Sequence, residues 1–485
     1  MQQLQKQRRL VSLVFTLILF TANSGSAELP PENTCSTAAS GAHGEGETDA
    51  STPRLREGMI LALNDLLALR SLIPEEVWEQ HEVFFYEGMQ LEIGPCHRRY
   101  PVPENFRKAT ETFAGRARLD AEGNLRDYVA GLPFPPPMLD ASDAGTRWAW
   151  NAELRHRAFG PVGSFRIVDM PSRIGAPEIY LGRFFFVRTG YRADLASSGY
   201  FEAQDDKHWW VAGGNFEEPF AARHLAWRQF RKRRALERSA EPDDTFVYVP
   251  TMRKPRRAAS AWVDGVFTPR YRVSGDAGGG SIPFGSSEGG PTGSIQPTAG
   301  VSIAVTEHIR RGFLGLALRP NAYVWQYLGA REVLAPINAT HVGYPGNPDR
   351  NFGESGLSVA SDRWDLRYAV VIEGTPRLPI ENVGSLKLYI DYQTQQPLYF
   401  ITRRKNGLLL EVGILVSRFS GDTQGYPEFS ENTPAHVFDP VAAVFYSSEG
   451  GGTGWRRESY DLRSVPVDPK ALRDMTSSIG LVRGR

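Results

Sequence analysis

The chain has 485 residues, with 55 basic and 55 acidic side chains, and 41% of its residues are hydrophobic. This balance gives no support for nucleic-acid binding, which usually requires a clear basic excess. The length exceeds the usual size of one domain, although large β folds can hold this many residues in one unit.

Residues 1–27 have the composition of a cleaved export signal. The basic residues Lys6, Arg8 and Arg9 precede an apolar run over Leu10–Ala22, and small residues follow it. The run is shorter than the ~20 residues that span a bilayer, so cleavage is favoured over a membrane anchor. We therefore expect a periplasmic protein, with association with the outer membrane as an open alternative.

Residues 28–50 are rich in Ser, Gly, Thr, Glu and Pro, which predicts a disordered tether. The chain has two cysteines, Cys35 and Cys96, and both lie in the exported part. In an oxidising compartment they can form a disulfide that ties the tail to the body, and two free thiols are the alternative. Two cysteines alone cannot form a structural zinc site.

Residues 51–160 are predicted to form a helical and proline-rich region that packs on a sheet. Thr52-Pro53 is typical of a helix start, because a hydroxyl cap precedes proline at the first helical position. Pro74 opens a second, shorter helix, and a third begins near Arg147.

Residues 161–465 are dominated by strand-like segments, with no alternation of strands and helices of the kind that builds a parallel sheet. We predict a mainly β fold with some α, in which a large curved antiparallel sheet packs against helices. A Gly-rich stretch at 274–300 predicts a mobile loop or lid. Residues 466–485 form a C-terminal tail.

The segment Arg363–Phe419 predicts a meander of antiparallel strands. Asn406-Gly407 is a strong hairpin signal, because a type I′ turn needs positive φ at both central residues. Leucine and isoleucine at 386, 388 and 390 alternate with Lys387, Tyr389 and Asp391. This alternation predicts a strand with one dry face and one solvated face.

No motif of a hydrolase elbow, a zinc helix or a phosphate loop occurs in the chain. The nine histidines show no pair at helical ligand spacing, so we expect no metal and no cofactor. His208, beside two tryptophans, is interpreted as a surface or interface residue. The adjacent carboxylates Asp243 and Asp244 point to opposite faces of a strand, which predicts solvation and turn capping rather than acid–base chemistry.

Two basic clusters stand out, a run at Arg228–Arg238 and the group Arg253, Lys254, Arg256 and Arg257. They favour either docking to anionic lipid headgroups or an acidic partner, or a solvated outer face that discourages edge pairing. Docking gains support if both clusters lie side by side on one rim.

Aromatic residues make up 11% of the chain and occur mainly in strand candidates. An apolar pocket gains roughly 25 cal/mol for each Å² of ligand surface buried, so such faces suit a hydrophobic ligand. Ordinary core filling is the alternative for each residue. The candidate cavity lining comprises Trp227, Phe246, Tyr248, Tyr323, Trp325, Tyr368, Leu386, Leu388 and Ile390.

Seven blocks stand out along the chain: Tyr100–Pro103, Gly131–Pro135, Trp148–Asn151 with Arg155, Asp244–Arg257, Trp325–Gly329 with Pro336–Asn338, Arg363–Asp365 with Val371–Pro376, and Leu388–Asp391. In this order they resemble an exported bacterial family named domain of unknown function 1329, which is grouped with the outer-membrane lipoprotein-sorting (LolA/LolB-like) carriers. One departure is Pro250-Thr251-Met252, where the family usually has Pro-Gly-Gln.

The resemblance implies an open half-barrel with helices on its concave side and space for acyl chains between them. It also implies a role in envelope or outer-membrane transport alongside an RND-type inner-membrane permease. Our leading hypothesis is a non-catalytic periplasmic carrier of a hydrophobic, lipid-like molecule. The alternatives are an envelope hydrolase acting on such a molecule and a structural subunit of an envelope transport complex.

Overall fold

The computed structural model describes most of the chain in separate stretches, and the predicted export signal and Gly-rich loop lie outside the described residues. Among the helices of the described residues, none is long and apolar enough to cross a membrane. The described residues are 29–35, 55–136, 141–170, 177–193, 207–250, 253–257, 272–273, 301–302, 317–340, 352–378, 383–428, 434–447, 454–464, 469–478 and 480–483.

A sheet of 15 strands organises these residues, and two small two-stranded sheets accompany it. The small sheets pair β3 with β4 and β11 with β12. The strands are β1 (Ile60–Leu61), β2 (Leu91–Ile93), β3 (Arg118–Leu119), β4 (Leu125–Arg126), β5 (Val162–Met170), β6 (Glu178–Arg188), β7 (His208–Glu218), β8 (Ala226–Lys232), β9 (Asp244–Val249), β10 (Lys254–Arg257), β11 (Arg272–Val273), β12 (Val301–Ser302), β13 (Tyr323–Ala335), β14 (Arg363–Pro376), β15 (Ser385–Asp391), β16 (Pro397–Arg403), β17 (Leu409–Phe419), β18 (Phe438–Ser447) and β19 (Gly454–Arg463).

The large sheet consists of two antiparallel meanders that are joined edge to edge. Strands β13 to β19 follow one another, β19 pairs with β5, and the order continues to β10. β1 and β2 extend the edge near the start of β14, where β2 pairs with β14 in parallel. Within the described residues β10 and β13 do not pair, so the sheet stays open and the predicted half-barrel fold is confirmed.

Short helices cover the sheet, and most of them precede its long strands. The predicted helix after Pro74 is present, and the one near Arg147 begins slightly earlier, at Ala144. The helices are α1 (Leu63–Ala68), α2 (Glu75–Trp78), α3 (His81–Phe84), α4 (Glu104–Thr112), α5 (Ala144–Leu154), α6 (Arg234–Glu237), α7 (Pro469–Met475) and α8 (Gly480–Arg483).

The predicted helix start at Thr52 is wrong for the part of that segment that the structure describes. The backbone from Leu55 to Ala62 is not helical, because Ile60 and Leu61 pair with β2 instead. The cap-and-proline pattern is followed by a strand, and the helix α1 begins only at Leu63. Tertiary pairing has overridden the local helix-start signal.

Residues 29–35 of the predicted tether lie against the body of the protein. Cys35 and Cys96 form a disulfide, and the backbone N–H of Asn33 donates to the carbonyl oxygen of Cys96 at 2.9 Å. Such a bond stabilises mainly by restricting the unfolded chain. Residues 29–35 are therefore fixed beside β2.

The meander contains the predicted hairpin at Asn406-Gly407, although its turn differs from type I′. β16 and β17 pair across it, and only Gly407 of the two residues has positive φ, at 80°. The amide of Gly407 donates to the carbonyl of Arg404, and the amide of Leu408 to the side chain of Asn406. A five-residue connection thus replaces the two-residue turn.

The predicted solvated face of β15 is wrong, because both faces of this strand are covered. Leu386, Leu388 and Ile390 belong to the apolar cluster on the side of α5, here called the α5 face. Tyr389 lies in a second cluster on the opposite face, where the N-terminal helices α1 to α3 pack. Lys387, on that opposite face, reaches the buried carboxylate of Glu76.

Glu76 and Lys387 form an ion pair that attaches α2 to the sheet, with Nζ and Oε1 2.6 Å apart. Burial acts to raise the pKa of Glu76, but the hydrogen bond from Lys387 holds that pKa below its ordinary value. Arg403 supplies a second cation at 3.2 Å. Glu76 is therefore charged and dependent on these partners.

We expect Lys387→Met to lower the free energy of unfolding by about 3 kcal/mol, because it leaves a buried carboxylate with one remaining cation. The double variant Glu76→Gln with Lys387→Met should recover part of that loss. Urea unfolding measures both, with the exposed Lys405→Met as the control. A loss no larger than that of the control would contradict this prediction.

A buried carboxyl group at the start of β18 predicts a pH effect on stability. Asp439 accepts hydrogen bonds from Ser464 and Tyr426, each at 2.6 Å. Burial raises the pKa of Asp439 to about 6, and these hydrogen bonds lower it only in part. The folded protein therefore binds a proton here at a higher pH than the unfolded chain does.

Because the folded pKa is raised, this group's contribution to stability is present at low pH and is lost as pH rises through about 6. Between pH 4 and 6, the stability advantage of wild type over Asp439→Asn should grow on acidification by about 1.4 kcal/mol per pH unit. Urea titrations of both proteins across pH 4–7 test this. A difference that stays constant with pH would refute it.

Candidate functional site

The α5 face collects most of the side chains that were predicted to line a cavity. One apolar cluster runs from β6–β9 across α5 to β13–β16. Tyr368 packs at its margin, with its ring 6.0 Å from that of Tyr392. The predicted residues within the cluster are Trp227, Tyr323, Trp325, Leu386, Leu388 and Ile390.

Phe246 and Tyr248 lie on the opposite face, so their assignment to the same lining is wrong. Trp227 stands beside Val247 in the sheet, and side chains alternate along β9. Phe246 accordingly packs near Phe230, and Tyr248 packs with Leu481 of the C-terminal helix α8. The residue type favoured a pocket, but the register placed both rings on the other side.

The helix α5 packs against the α5 face and occupies the space that the predicted lining would have left for a ligand. Trp148 is fully buried, and its ring lies 5.1 Å from that of Tyr392. Gly145 lets the helix lie directly on β13, since a Cβ there would come within 2.9 Å of the backbone of Gln326. Leu388 and Trp227, in the same cluster, are both 0% exposed. These side chains form a packed core in this conformation.

Glycines in the central strands make room for the large rings of this face, a feature that the sequence reasoning missed. A Cβ at Gly214 would lie 2.7 Å from the ring of Trp227, and one at Gly182 would lie 2.7 Å from the ring of Phe165. Glycine inside a strand often marks such a close approach. The glycines within strand-like segments, at 182 and at 213–214, were the signal in the sequence for this close packing.

A buried ionic network fixes the chain around the C-terminal end of α5. Asp243 accepts hydrogen bonds from Arg231 at 3.0 Å and from Arg319 at 2.5 Å. Burial acts to raise the pKa of Asp243, but these guanidinium groups hold it below its ordinary value. Glu153 of α5 accepts the backbone N–H of Leu318 at 2.6 Å. The network therefore connects α5 to the strands through residue 318–319.

The predicted solvation of the adjacent carboxylates is wrong for Asp243 and only partly correct for Asp244. Asp243 is 1% exposed, whereas Asp244 on the opposite face pairs with Lys232 at 3.3 Å and with Arg257. The two carboxylates do point to opposite faces, as predicted. The basic run that contains Arg231 is likewise partly buried. It spans the end of β8 at Lys232 and the start of α6 at Arg234.

A small cavity lies between the end of α5 and the sheet. Its volume is about 20 Å³, which is enough for one water molecule. Arg155, Arg157 and Gln396 form its polar side, and Leu415 and Tyr460 contribute to its apolar side. The cavity can hold a solvent molecule or a small polar group, but not an acyl chain.

The predicted docking residues form an exposed edge strand. Lys254, Arg256 and Arg257 belong to β10, and Arg253 directly precedes it, all exposed to solvent. β9 separates this strand from the other basic cluster on β8. The two clusters are thus near each other in the sheet but not adjacent.

Three of the described histidines contact other side chains or the backbone. His97 contacts Glu332 at 2.7 Å, and His156 contacts the carbonyl oxygen of Ala435 at 3.2 Å. The ring of His208 lies 5.2 Å from that of Phe230. Among the described residues no group of three or more His, Cys, Asp or Glu side chains could hold a metal ion.

A family model described as protein of unknown function (DUF1329) matches residues 75–274 and 312–436. No curated protein matches the chain in sequence. The chain is similar to solved structures at low identity, and each comparison covers about 70% of its length.

A protein domain assigned to outer-membrane lipoprotein sorting, from Vibrio parahaemolyticus, is 12% identical over 71% of this chain and 100% of its own, with a TM-score of 0.38. A DUF1329 family protein from Desulfovibrio piger is 11% identical over 70% and 98%, with a TM-score of 0.38. A LolA superfamily protein from Nitrosomonas europaea is 12% identical over 70% and 98%, with a TM-score of 0.33.

We expect Asp243→Ala to destabilise the fold by about 3–5 kcal/mol, because it leaves two buried guanidinium groups without their carboxylate. The neighbouring Asp244→Ala removes a partly solvated pair and should cost about 0–1 kcal/mol. Denaturant unfolding of the two variants measures the difference. Equal losses would show that the network contributes nothing beyond surface pairing.

Proposed function

We propose, on the premise that the chain belongs to the DUF1329 family, that it is a non-catalytic carrier of a hydrophobic, lipid-like molecule. The molecule would lie between the α5 face and α5 itself. The observation that carries this proposal is the apolar cluster of that face, which extends over both halves of an open sheet, while the eleven-residue helix α5 contacts it chiefly at β13 and β14.

The way α5 packs supports a route for a ligand to enter. Its contacts with the sheet centre on β13 and β14, at one edge. Apolar contacts and the Gly145 approach hold it there, and both lack direction-specific bonds. A displacement of α5 would expose rings such as Trp325 and Tyr323 to an acyl chain. Affinity would come from burial of the chain, and no covalent step is required.

The setting of this activity is the cell envelope. The predicted export signal at 1–27 directs the chain to the periplasm. The Cys35–Cys96 disulfide is consistent with that oxidising compartment. Partners would be an RND-type inner-membrane permease and outer-membrane components, with the cationic β10 as a docking surface for anionic groups.

A structural subunit of an envelope complex is the second candidate. The closed packing of Leu388 and Trp227 favours it, because a face that never opens needs no ligand. The two candidates differ in what happens when α5 is loosened.

We expect the mature protein to bind the neutral probe N-phenylnaphthylamine, and Gly145→Ala to bind it several-fold more tightly. The added methyl would overlap the backbone of β13 and shift α5 outward, at about 1–3 kcal/mol of stability. Fluorescence titration gives the affinities.

Val412→Ala is the matched control, because Val412 is fully buried on the opposite face and its loss destabilises without touching α5. It should leave probe affinity unchanged. If neither wild type nor Gly145→Ala binds the probe, the carrier proposal fails and the structural subunit is favoured.

A further inference from the structure

A cleft of about 330 Å³ opens between α6 and the segment that follows β4. Its volume lies within the range of small-molecule sites. Tyr128 and Tyr191 form one wall, with ring centres 5.1 Å apart. Arg233 and Arg234 also line the cleft. No residue of the predicted lining belongs to this cleft.

Two cations and two carboxylates line the cleft, and further cations lie just outside it. Asp127 pairs with Arg118 at 2.6 Å, and Glu237 lies 3.8 Å from Arg126, which also pairs with Asp120. Arg233 lies 4.4 Å above the ring of Tyr191. With these neighbours included, four cations stand against three carboxylates in the field that a ligand would meet.

A buried cation lies directly behind the tyrosine wall. Arg188 is 4% exposed and donates to the backbone carbonyl of Tyr191 at 2.9 Å. Its Nε–H has no hydrogen-bond partner among the described residues. Burial raises the pKa of Tyr128 to about 12, while Arg188 acts to lower it. An anion in the cleft would offset the field of this buried guanidinium.

The floor of the cleft continues into the α5 face. Leu125, Leu236 and Tyr191 are buried members of the same apolar cluster, and Tyr128 packs against it. A molecule whose polar end sits in the cleft would thus have its apolar end next to that cluster. Such a layout matches an amphiphile and not a uniformly apolar compound.

We propose that this cleft binds the anionic headgroup of the carried molecule, which makes the ligand class an acidic amphiphile with a carboxylate or phosphate head. Arg233 and Arg234 supply the ion pairs, and the two tyrosines supply hydroxyl groups and an apolar contact for the first carbons of the chain. The inference rests on the proposed carrier function and narrows its ligand.

Displacement of N-phenylnaphthylamine by oleate, by oleoyl lysophosphatidic acid and by neutral monooleoylglycerol tests the inference. All three share one acyl chain and differ in their headgroups. We expect at least one acidic competitor to displace the probe at about tenfold lower concentration than the neutral one. The stronger of the two acidic competitors identifies the headgroup as carboxylate or phosphate.

The double variant Arg233→Gln with Arg234→Gln should remove this tenfold preference, and Asp127→Asn should increase it, because it removes a negative charge from the cleft. The control Arg404→Gln with Lys405→Gln removes two cations on the β16–β17 turn, one half-buried and one exposed, and should keep the preference. Circular dichroism of each variant confirms that it is folded.

Equal displacement by all three competitors, unchanged in the double variant, would overturn the headgroup site and leave the carrier function standing. Absence of any probe binding by the wild-type protein would overturn both.

Discussion

The antiparallel pairing of β19 with β5 is the constraint on which the rest of the structure depends. It joins the last long strand of the chain to the first, from Trp455 beside Met170 to Arg463 beside Val162. The pairing closes a loop of roughly 300 residues, whose entropic cost grows only slowly with length. Gly163 permits the close approach, because a Cβ there would lie 1.9 Å from the carbonyl oxygen of Asp461.

This junction turns two separate meanders into one surface. The helix α5 ends at Leu154, shortly before β5 begins at Val162, and from there it reaches β13 and β14 at one edge of the sheet. Two kinds of contact then hold it. Apolar packing covers its length, while Glu153 at its end joins the buried charges around Asp243.

The two kinds of contact differ in what they permit. Apolar packing tolerates sliding or exchange for an acyl chain, since its energy follows buried area. Buried ion pairs tolerate little displacement, because a separated charge in the interior is costly. On the proposed carrier function, the N-terminal end of α5, at Gly145, is therefore the end that would move, with the charged end as its hinge.

The sequence predicted the parts of the fold that are set by local pattern. The alternation at Leu386, Leu388 and Ile390 correctly predicted that these side chains share one face of a strand. Asn406-Gly407 correctly predicted a hairpin between β16 and β17. The opposite face of β15 is buried by residues about 300 positions away in the chain, such as Glu76. A local sequence pattern cannot indicate partners at that distance.

The candidate site was harder to predict, because register and remote partners decide it. Phe246 and Tyr248 have the residue type of a lining, yet their offset from Trp227 puts them on the other face. Asp243 is buried because Arg319, 76 positions later, reaches it. The cleft at Tyr191 depends on α6, a helix inside the basic run Arg228–Arg238, where no helix was predicted.

Native mass spectrometry of the mature protein, purified from its own cell envelope without detergent, tests the central claim most directly. We predict a species heavier than the mature chain by the mass of one lipid-like molecule, released on mild activation, with a mass and charge that fit an acidic amphiphile. Recovery of the bare chain alone, in a preparation that also fails to bind N-phenylnaphthylamine, would contradict the claim that the protein is a carrier.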